Sequence, residues 1–266
     1  MGRIDELFTR LKAKGRLGLF MYITVGYPDL TAGRELARMV LEAGADLLEL
    51  GVPFSDPLAD GATIQRASQR ALQAGTRPEH ALDLATGLRA AGYTQPLVVM
   101  TYFNPVLARG EDRFCAELAA AGIDGLIIPD LPPDEAEGLR SAARARGLDL
   151  TFLAAPNSPP ERLKRVAEAS SGFLYCVSLT GVTGARDTLP PGLGRFLGRV
   201  RAVSTLPLAV GFGISRPEQV RALRGLADAV VVGSGLIDRI EGTPPERWGI
   251  EVRGYVQALQ AATAPD

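Results

Sequence analysis

The run Asp46-Leu47-Leu48-Glu49-Leu50-Gly51-Val52 decides the fold. It is short, apolar and nearly free of alternation, the pattern of a parallel strand covered on both faces. Only Glu49 interrupts its apolar side chains. Strand side chains alternate, so Leu47, Glu49 and Gly51 share one face and Leu48, Leu50 and Val52 share the other. The second set is uniformly bulky and suits packing against helices. Glu49 then points away from the helices, near the C-terminal end of the strand. A carboxylate in such a place needs a partner or a raised pKa, and either makes it a candidate acid/base. The competing reading is a structural glutamate paired with an arginine.

Seven similar runs lie on either side, at 19–26, 96–103, 125–130, 150–156, 172–179, 206–213 and 229–233. Amphipathic stretches separate them. In the first, Leu36, Met39, Val40 and Ala43 recur at i, i+3, i+4 and i+7, which is helical spacing. Ser158-Pro159-Pro160-Glu161 and Ser215-Arg216-Pro217-Glu218 predict helices capped by serine, with glutamate closing a capping box. An additional helix is predicted over 3–12. No linker or shift in composition marks a boundary, and no residue-level repeat stands out beyond the alternation. The expected class is α/β, a single-domain (β/α)8 barrel over 1–266 with an extra N-terminal helix.

Composition narrows the chemistry. The 266 residues carry 29 Lys plus Arg against 30 Asp plus Glu, a formal charge of −1, which argues against a nucleic-acid binder. Cys115 and Cys176 are too few for a disulfide framework and read as buried thiols. The N-terminal stretch lacks an apolar signal-peptide core, and no apolar run approaches the ~20 residues of a membrane span, so a cytoplasmic protein is expected. His80 is the only histidine, and Lys12, Lys14 and Lys164 are the only lysines. All four fall in helical or helix-edge segments. A Schiff-base aldolase needs a desolvated lysine, and zinc sites usually need histidine or cysteine clusters. Carboxylates, tyrosine and backbone are left to do the work.

Barrel enzymes place their function at the C-terminal ends of the strands. After Glu49 comes Pro53-Phe54-Ser55-Asp56-Pro57-Leu58-Ala59-Asp60-Gly61. Asp56 and Asp60 divide evenly between chemistry and turn formation, since Asp-Pro and Asp-Gly are turn formers. In the sixth run Phe173, Tyr175 and Val177 share a face. Inward, Tyr175 meets the same cavity as Glu49; otherwise it is a core tyrosine. Glycine-bearing turns follow the sixth, seventh and eighth runs, at Thr180-Gly181-Val182-Thr183-Gly184, Gly211-Phe212-Gly213-Ile214-Ser215 and Gly233-Ser234-Gly235. Barrels often bind phosphate there; the alternative is a set of tight turns without ligand. The long stretch 180–191 reads as a lid. Trp248 and Cys176 read as packing residues, and His80 as helix surface.

These residues resemble the tryptophan synthase alpha chain family over nearly the whole chain. The most specific match is the run from Leu48 to Gly61. Met100-Thr101-Tyr102-Phe103-Asn104-Pro105, Pro129-Asp130-Leu131-Pro132, Gly181-Val182-Thr183-Gly184-Ala185-Arg186 and Val210-Gly211-Phe212-Gly213-Ile214 support it. The resemblance implies a TIM-barrel lyase that cleaves indole-3-glycerol phosphate by a retro-aldol reaction with no cofactor on this chain. It makes Glu49 and Asp60 the catalytic pair, with Tyr175 beside them. It places phosphate at Gly184, Gly213, Gly233 and Ser234, and indole among Tyr22, Met100, Ile127 and Phe212, with Thr183 folding in from the lid. It implies a β subunit carrying pyridoxal phosphate, an α2β2 complex, and a docking face with Asp56, Asn104 and Pro132. Ala62, Asn157 and Leu179 depart from the usual pattern of the family without touching the acid/base pair. The competing readings are another phosphosugar barrel, a lyase that needs no partner, and a catalytically silent subunit.

Overall fold

The fold is seen in a computed structural model that describes residues 2–178, 189–211 and 213–265. Nine strands are found among them: β1 (Gly18–Thr24), β2 (Leu47–Gly51), β3 (Leu97–Met100), β4 (Gly125–Ile127), β5 (Asp149–Thr151), β6 (Leu153–Ala154), β7 (Leu174–Val177), β8 (Leu208–Gly211) and β9 (Ala229–Val232). They run in the order β5-β4-β3-β2-β1-β9-β8-β7-β6, every pair parallel. Helices lie between them, as parallel connections require. This is the expected single-domain barrel, with one nick. The predicted fifth strand is divided at Phe152 into β5, which pairs with β4, and β6, which pairs with β7. The Phe152 N–H donates to Ser170 Oγ (3.1 Å) and its carbonyl accepts from Tyr175 N (3.2 Å), so the ladder turns from one neighbour to the other at that residue.

The third run also ends sooner than expected. It stops at Met100, because Tyr102 already caps the helix α5 (Phe103–Arg109). Neither serine cap forms as predicted. The Ser158 hydroxyl accepts from the Ala155 N–H (3.4 Å) within its own turn, and α8 (Pro160–Ala169) starts after Pro159. At α10 (Pro217–Ala222) the box is closed by Gln219, not by Ser215 with Glu218. Prolines at the first helical position made both starts legible, but local contacts of the preceding turn chose the capping group.

The extra helix α1 (Arg3–Ala13) closes the floor of the barrel. Its buried Ile4, Leu7, Phe8 and Leu11 cover the N-terminal strand ends. Phe8 meets Phe20 of β1 at 5.7 Å between ring centroids, and Phe20 meets Phe173 at 5.5 Å, both edge-on. Edge-on rings are favoured by the ring quadrupole.

A repeat whose meaning needs the neighbouring strands appears at the same end. Asp46, Asp124 and Asp228 each sit one residue before a strand. Each carboxylate accepts the N–H of a residue in the neighbouring strand: Leu19 (2.8 Å), Leu97 (2.8 Å) and Leu208 (2.7 Å) respectively. Each is also paired with an arginine: Arg16 at 2.6 Å, Arg89 at 2.7 Å, and Arg201. The device recurs three times and fixes the register of β1 with β2, β3 with β4, and β8 with β9. Arg89 and Asp124 are largely buried, whereas Arg201 and Asp228 are more than a third exposed. Asp124→Ala is therefore expected to lower stability by about 3 kcal/mol, because it strands a desolvated guanidinium. Asp228→Ala should cost about 1 kcal/mol. Urea unfolding of both variants checks the order; equal losses would refute it.

Candidate active site

Laterally paired residues of a parallel sheet point to the same side, so the register assigns the barrel interior. Tyr22 pairs with Glu49, and Glu49 with Val98. One step toward the mouth, Thr24 pairs with Gly51, Gly51 with Met100, and Met100 with Ile127. Across the barrel Tyr175 pairs with Ala209, and Val177 with Gly211. Glu49, Tyr22, Met100, Ile127 and Tyr175 are thus gathered around one interior, on the face that alternation assigned to Glu49.

Two glycines make room for the tyrosines. A Cβ on Gly51 would lie 2.1 Å from the Tyr22 hydroxyl, and one on Gly211 would lie 2.3 Å from the Tyr175 hydroxyl. No side chain fits there without expelling a ring. The Tyr22 hydroxyl also accepts a long hydrogen bond from Thr24 Oγ1 (3.4 Å).

The loop after β2 separates its two aspartates. Asp56 is exposed, with Ser55 Oγ donating to it. Asp60 is only 5% exposed. Tyr102 holds it there. The Tyr102 ring stacks on Phe54 (5.1 Å, 23° between planes), and its hydroxyl accepts from the Ala59 N–H (3.0 Å). The Asp60 carbonyl in turn accepts from Gln65 Nε2 (2.9 Å), on α3 (Ala62–Gln73). Among the described residues Asp60 Oδ1 has no hydrogen-bond partner, an unusual condition for a buried acceptor and one that suits a ligand N–H.

Electrostatics divides the two carboxyl groups. Glu49 is 2% exposed, and burial, helped by the nearby Asp60 charge, pushes it up to about 8. Burial pushes Asp60 up to about 6, while hydrogen bonding to the Tyr102 hydroxyl pulls it back. Asp60 ionises first, so its charge acts on Glu49 while Glu49 is still neutral. Near pH 7 the pair therefore holds one ionised and one protonated carboxyl. Burial also raises Tyr22 and Tyr175, which keeps both hydroxyls protonated as donors.

The anion-binding candidates sit beside this cavity. The helix α11 (Ser234–Glu241) begins directly after β9, so its first N–H groups have no acceptor within the helix. A Cβ on Gly233 would lie 3.1 Å from the Tyr22 ring, which brings this turn against the cavity wall. Gly213 follows β8 in the next turn. Thr183, Gly184, Phe212 and Leu179, with most of the stretch 180–191, lie outside the described residues. Of the expected docking residues, Asp56 and Asn104 are exposed and Pro132 is half-buried. Asp56 and Pro132 stand on the loops that follow β2 and β4, and Asn104 in the first turn of α5, after β3. Leu58 (87% exposed) and Leu107 (55% exposed) accompany these three residues.

Tyr102 and Phe54 lie inside recognisable motifs and Thr24 inside the first run, but nothing local in the sequence gives any of the three a role. The available signal was an aromatic residue just beyond a strand end, facing an aromatic residue in the preceding loop. The three lysines are all exposed, so none supplies a desolvated amine. Cys115 and Cys176 are buried free thiols. Trp248 packs against the core with its indole N–H on the Thr243 carbonyl (2.8 Å), and the His80 Nδ1 accepts from the Arg77 N–H (3.0 Å) at the start of α4 (Glu79–Ala90). Among the described residues, no helix is long and apolar enough to cross a membrane.

Comparison with known proteins agrees with the barrel fold. The family model for the tryptophan synthase alpha chain matches residues 8–263. The tryptophan synthase alpha chain of Roseiflexus sp. (strain RS-1) is 52% identical over 260 residues, covering 98% of this chain and 100% of that one. That of Chloroflexus aurantiacus is 50% identical over 264 residues, with 99% of each covered. Among solved structures, Mycobacterium tuberculosis tryptophan synthase superposes with a TM-score of 0.92 at 40% identity, covering 100% of this chain and 99% of that one. Full-length coverage at half identity, with a barrel that superposes over its whole length, makes this chain a member of the tryptophan synthase alpha chain family.

Proposed function

We propose that the chain cleaves indole-3-glycerol phosphate to indole and glyceraldehyde 3-phosphate, as a lyase of tryptophan biosynthesis. The observation that carries this is the buried pair of Glu49 and Asp60, with Asp60 Oδ1 lacking a partner among the described residues. The indole ring lies among Tyr22, Met100 and Ile127. Its N–H donates to the unpartnered Oδ1 of Asp60, whose charge stabilises the positive charge that develops on the ring. Neutral Glu49 gives its proton to indole C3. The resulting carboxylate takes the proton of the adjacent side-chain hydroxyl as the carbon–carbon bond breaks. The bonding pair returns to the ring and the hydroxyl carbon becomes the aldehyde, so Glu49 ends protonated, as it began. Tyr175 shapes the wall beside Glu49. The substrate phosphate sits on the turns at Gly184, Gly213, Gly233 and Ser234, and Thr183 folds in to meet Asp60; Gly184 and Thr183 lie outside the described residues.

The partner is a β subunit in an α2β2 complex, and pyridoxal phosphate belongs to that subunit. The docking face centres on Asp56, Asn104 and Pro132, with exposed Leu58 and Leu107 as apolar contacts. Asp56 and Asp60 lie on the same loop, so docking at one fixes the other. A cytoplasmic location fits a biosynthetic enzyme of this kind.

Four outcomes test the reading. Purified protein should release indole from indole-3-glycerol phosphate, faster with a β subunit; no release in either case would refute it. Glu49→Gln and Asp60→Asn should each lower kcat about 10²–10⁴-fold, the usual reach of a positioned acid or base. The pH profile of kcat/KM should be a bell with limbs near 6, where Asp60 protonates, and near 8, where Glu49 ionises. The stability of Glu49→Gln supplies an independent check. A carboxyl raised in the folded state is fully stabilising only below its unfolded pKa, and that contribution is lost as pH rises through about 8. Glu49→Gln should therefore exceed the wild type in Tm at pH 9, with the gap closing toward pH 5. A pH-independent gap would show that Glu49 is not raised.

A further inference from the structure

We propose that Gln219 and Tyr255, neither of them in a glycine turn, are positioning residues that set the affinity of the site for the substrate phosphate. The inference rests on the phosphate reading above and extends it to two helices behind the turns.

Gln219 is the third residue of α10 and is 3% exposed. Its Oε1 accepts from the N–H groups of Ser215 (2.8 Å) and Arg216 (3.0 Å), and its Nε2 donates to the Gly213 carbonyl (3.2 Å). Only one orientation of the amide satisfies all three bonds, since two partners are donors and one is an acceptor. The carbonyl of Gly213, which would repel an anion, is thereby drawn to Gln219. The N–H groups of Gly213 and Ile214 are the ones that Gln219 does not take. A side chain lacking the donor would leave that carbonyl free to swing toward the phosphate.

Tyr255 reaches the same turn from α12 (Trp248–Thr263). Its hydroxyl donates to the Ser215 carbonyl (2.8 Å). Arg239 of α11 lies over its ring, 5.1 Å from the centroid. The hydroxyl also abuts the start of α11. A Cβ on Gly235 would lie 2.4 Å from it and 2.7 Å from the Ser215 Cβ. One phenol oxygen is thus wedged between the turn after β8 and the first turn of α11. Two sets of backbone N–H groups must converge on one phosphate, and their separation is set by this wedge. Backbone donors cannot be moved by changing their own side chains, so selection for phosphate affinity has to act on what holds them.

The test uses Tyr255→Phe, which keeps the ring, and Gln219→Glu, which keeps the acceptor but replaces the donor with a charge. Each should raise KM for indole-3-glycerol phosphate about tenfold, the scale of one lost buried hydrogen bond, with kcat within about threefold. Glycerol 3-phosphate binding, measured by calorimetry, should weaken by the same factor while indole binding is unchanged. A purely structural role would weaken both ligands together or move neither. Unchanged glycerol 3-phosphate affinity, or a loss confined to kcat, overturns the proposal. So does a wild type that binds no glycerol 3-phosphate. A wild type that binds it, and loses it tenfold in the variants, yet cleaves no indole-3-glycerol phosphate, would support the clasp and refute the reaction assigned above.

Discussion

Two carboxyl groups, Glu49 and Asp60, occupy a space from which water is nearly excluded, and no cation among the described residues is bonded to either. Two negative charges cannot be held there together at modest cost. One proton must stay, and the geometry decides where. Glu49 projects from the middle of a sheet and has only apolar and aromatic neighbours in the register beside it. Asp60 comes from a loop and has the Tyr102 hydroxyl near it. The proton therefore rests on Glu49. Burial and one hydroxyl thus set the two carboxyl groups apart, Glu49 pushed up to about 8 and Asp60 to about 6.

The rest of the barrel serves that separation. Its floor is filled by Phe8, Phe20 and Phe173, so the interior is dry and stiff beneath Glu49. Its N-terminal rim is tied by three aspartates, each paired with an arginine and with the neighbouring strand. Charge is thus used freely at the bottom, where arginines answer it, and is left unanswered at the top, where chemistry is proposed. Gly51 and Gly211 admit the two tyrosine rings that narrow the cavity. Tyr102 and Phe54 hold the loop after β2 beside it. Gln219 and Tyr255 play the matching part for the turns at its edge, from helices that never enter a strand.

The residues that the sequence made legible were those whose surroundings are periodic. Glu49 lies within a strand, and alternation with bulky neighbours assigned its face; alternation grouped Tyr175 with Phe173 and Val177 but left that face open. The extra helix over 3–12 was legible because its apolar stripe is regular. Legibility failed where a residue acts across the chain. Tyr102 lies just past a strand end, where alternation stops and direction is undetermined. The split at Phe152 depends on which neighbours offer hydrogen bonds, and no local pattern encodes that. The serine caps failed for a similar reason, since Gln219 outcompetes the local candidate at one helix and a turn claims Ser158 at the other. The Asp-before-strand repeat was present in the letters, but its meaning needs the neighbouring strand.

By itself the sequence determined the alternation of strands and helices, the inward face of β2, and the scarcity of histidine and lysine. These are properties of local periodicity and composition, which the chain carries into any environment. The tertiary structure alone decided which of Asp56 and Asp60 is buried, which carboxyl keeps its proton, and which side chains hold the turns. Each of those depends on desolvation and on partners distant in sequence, and both arise only when the barrel closes.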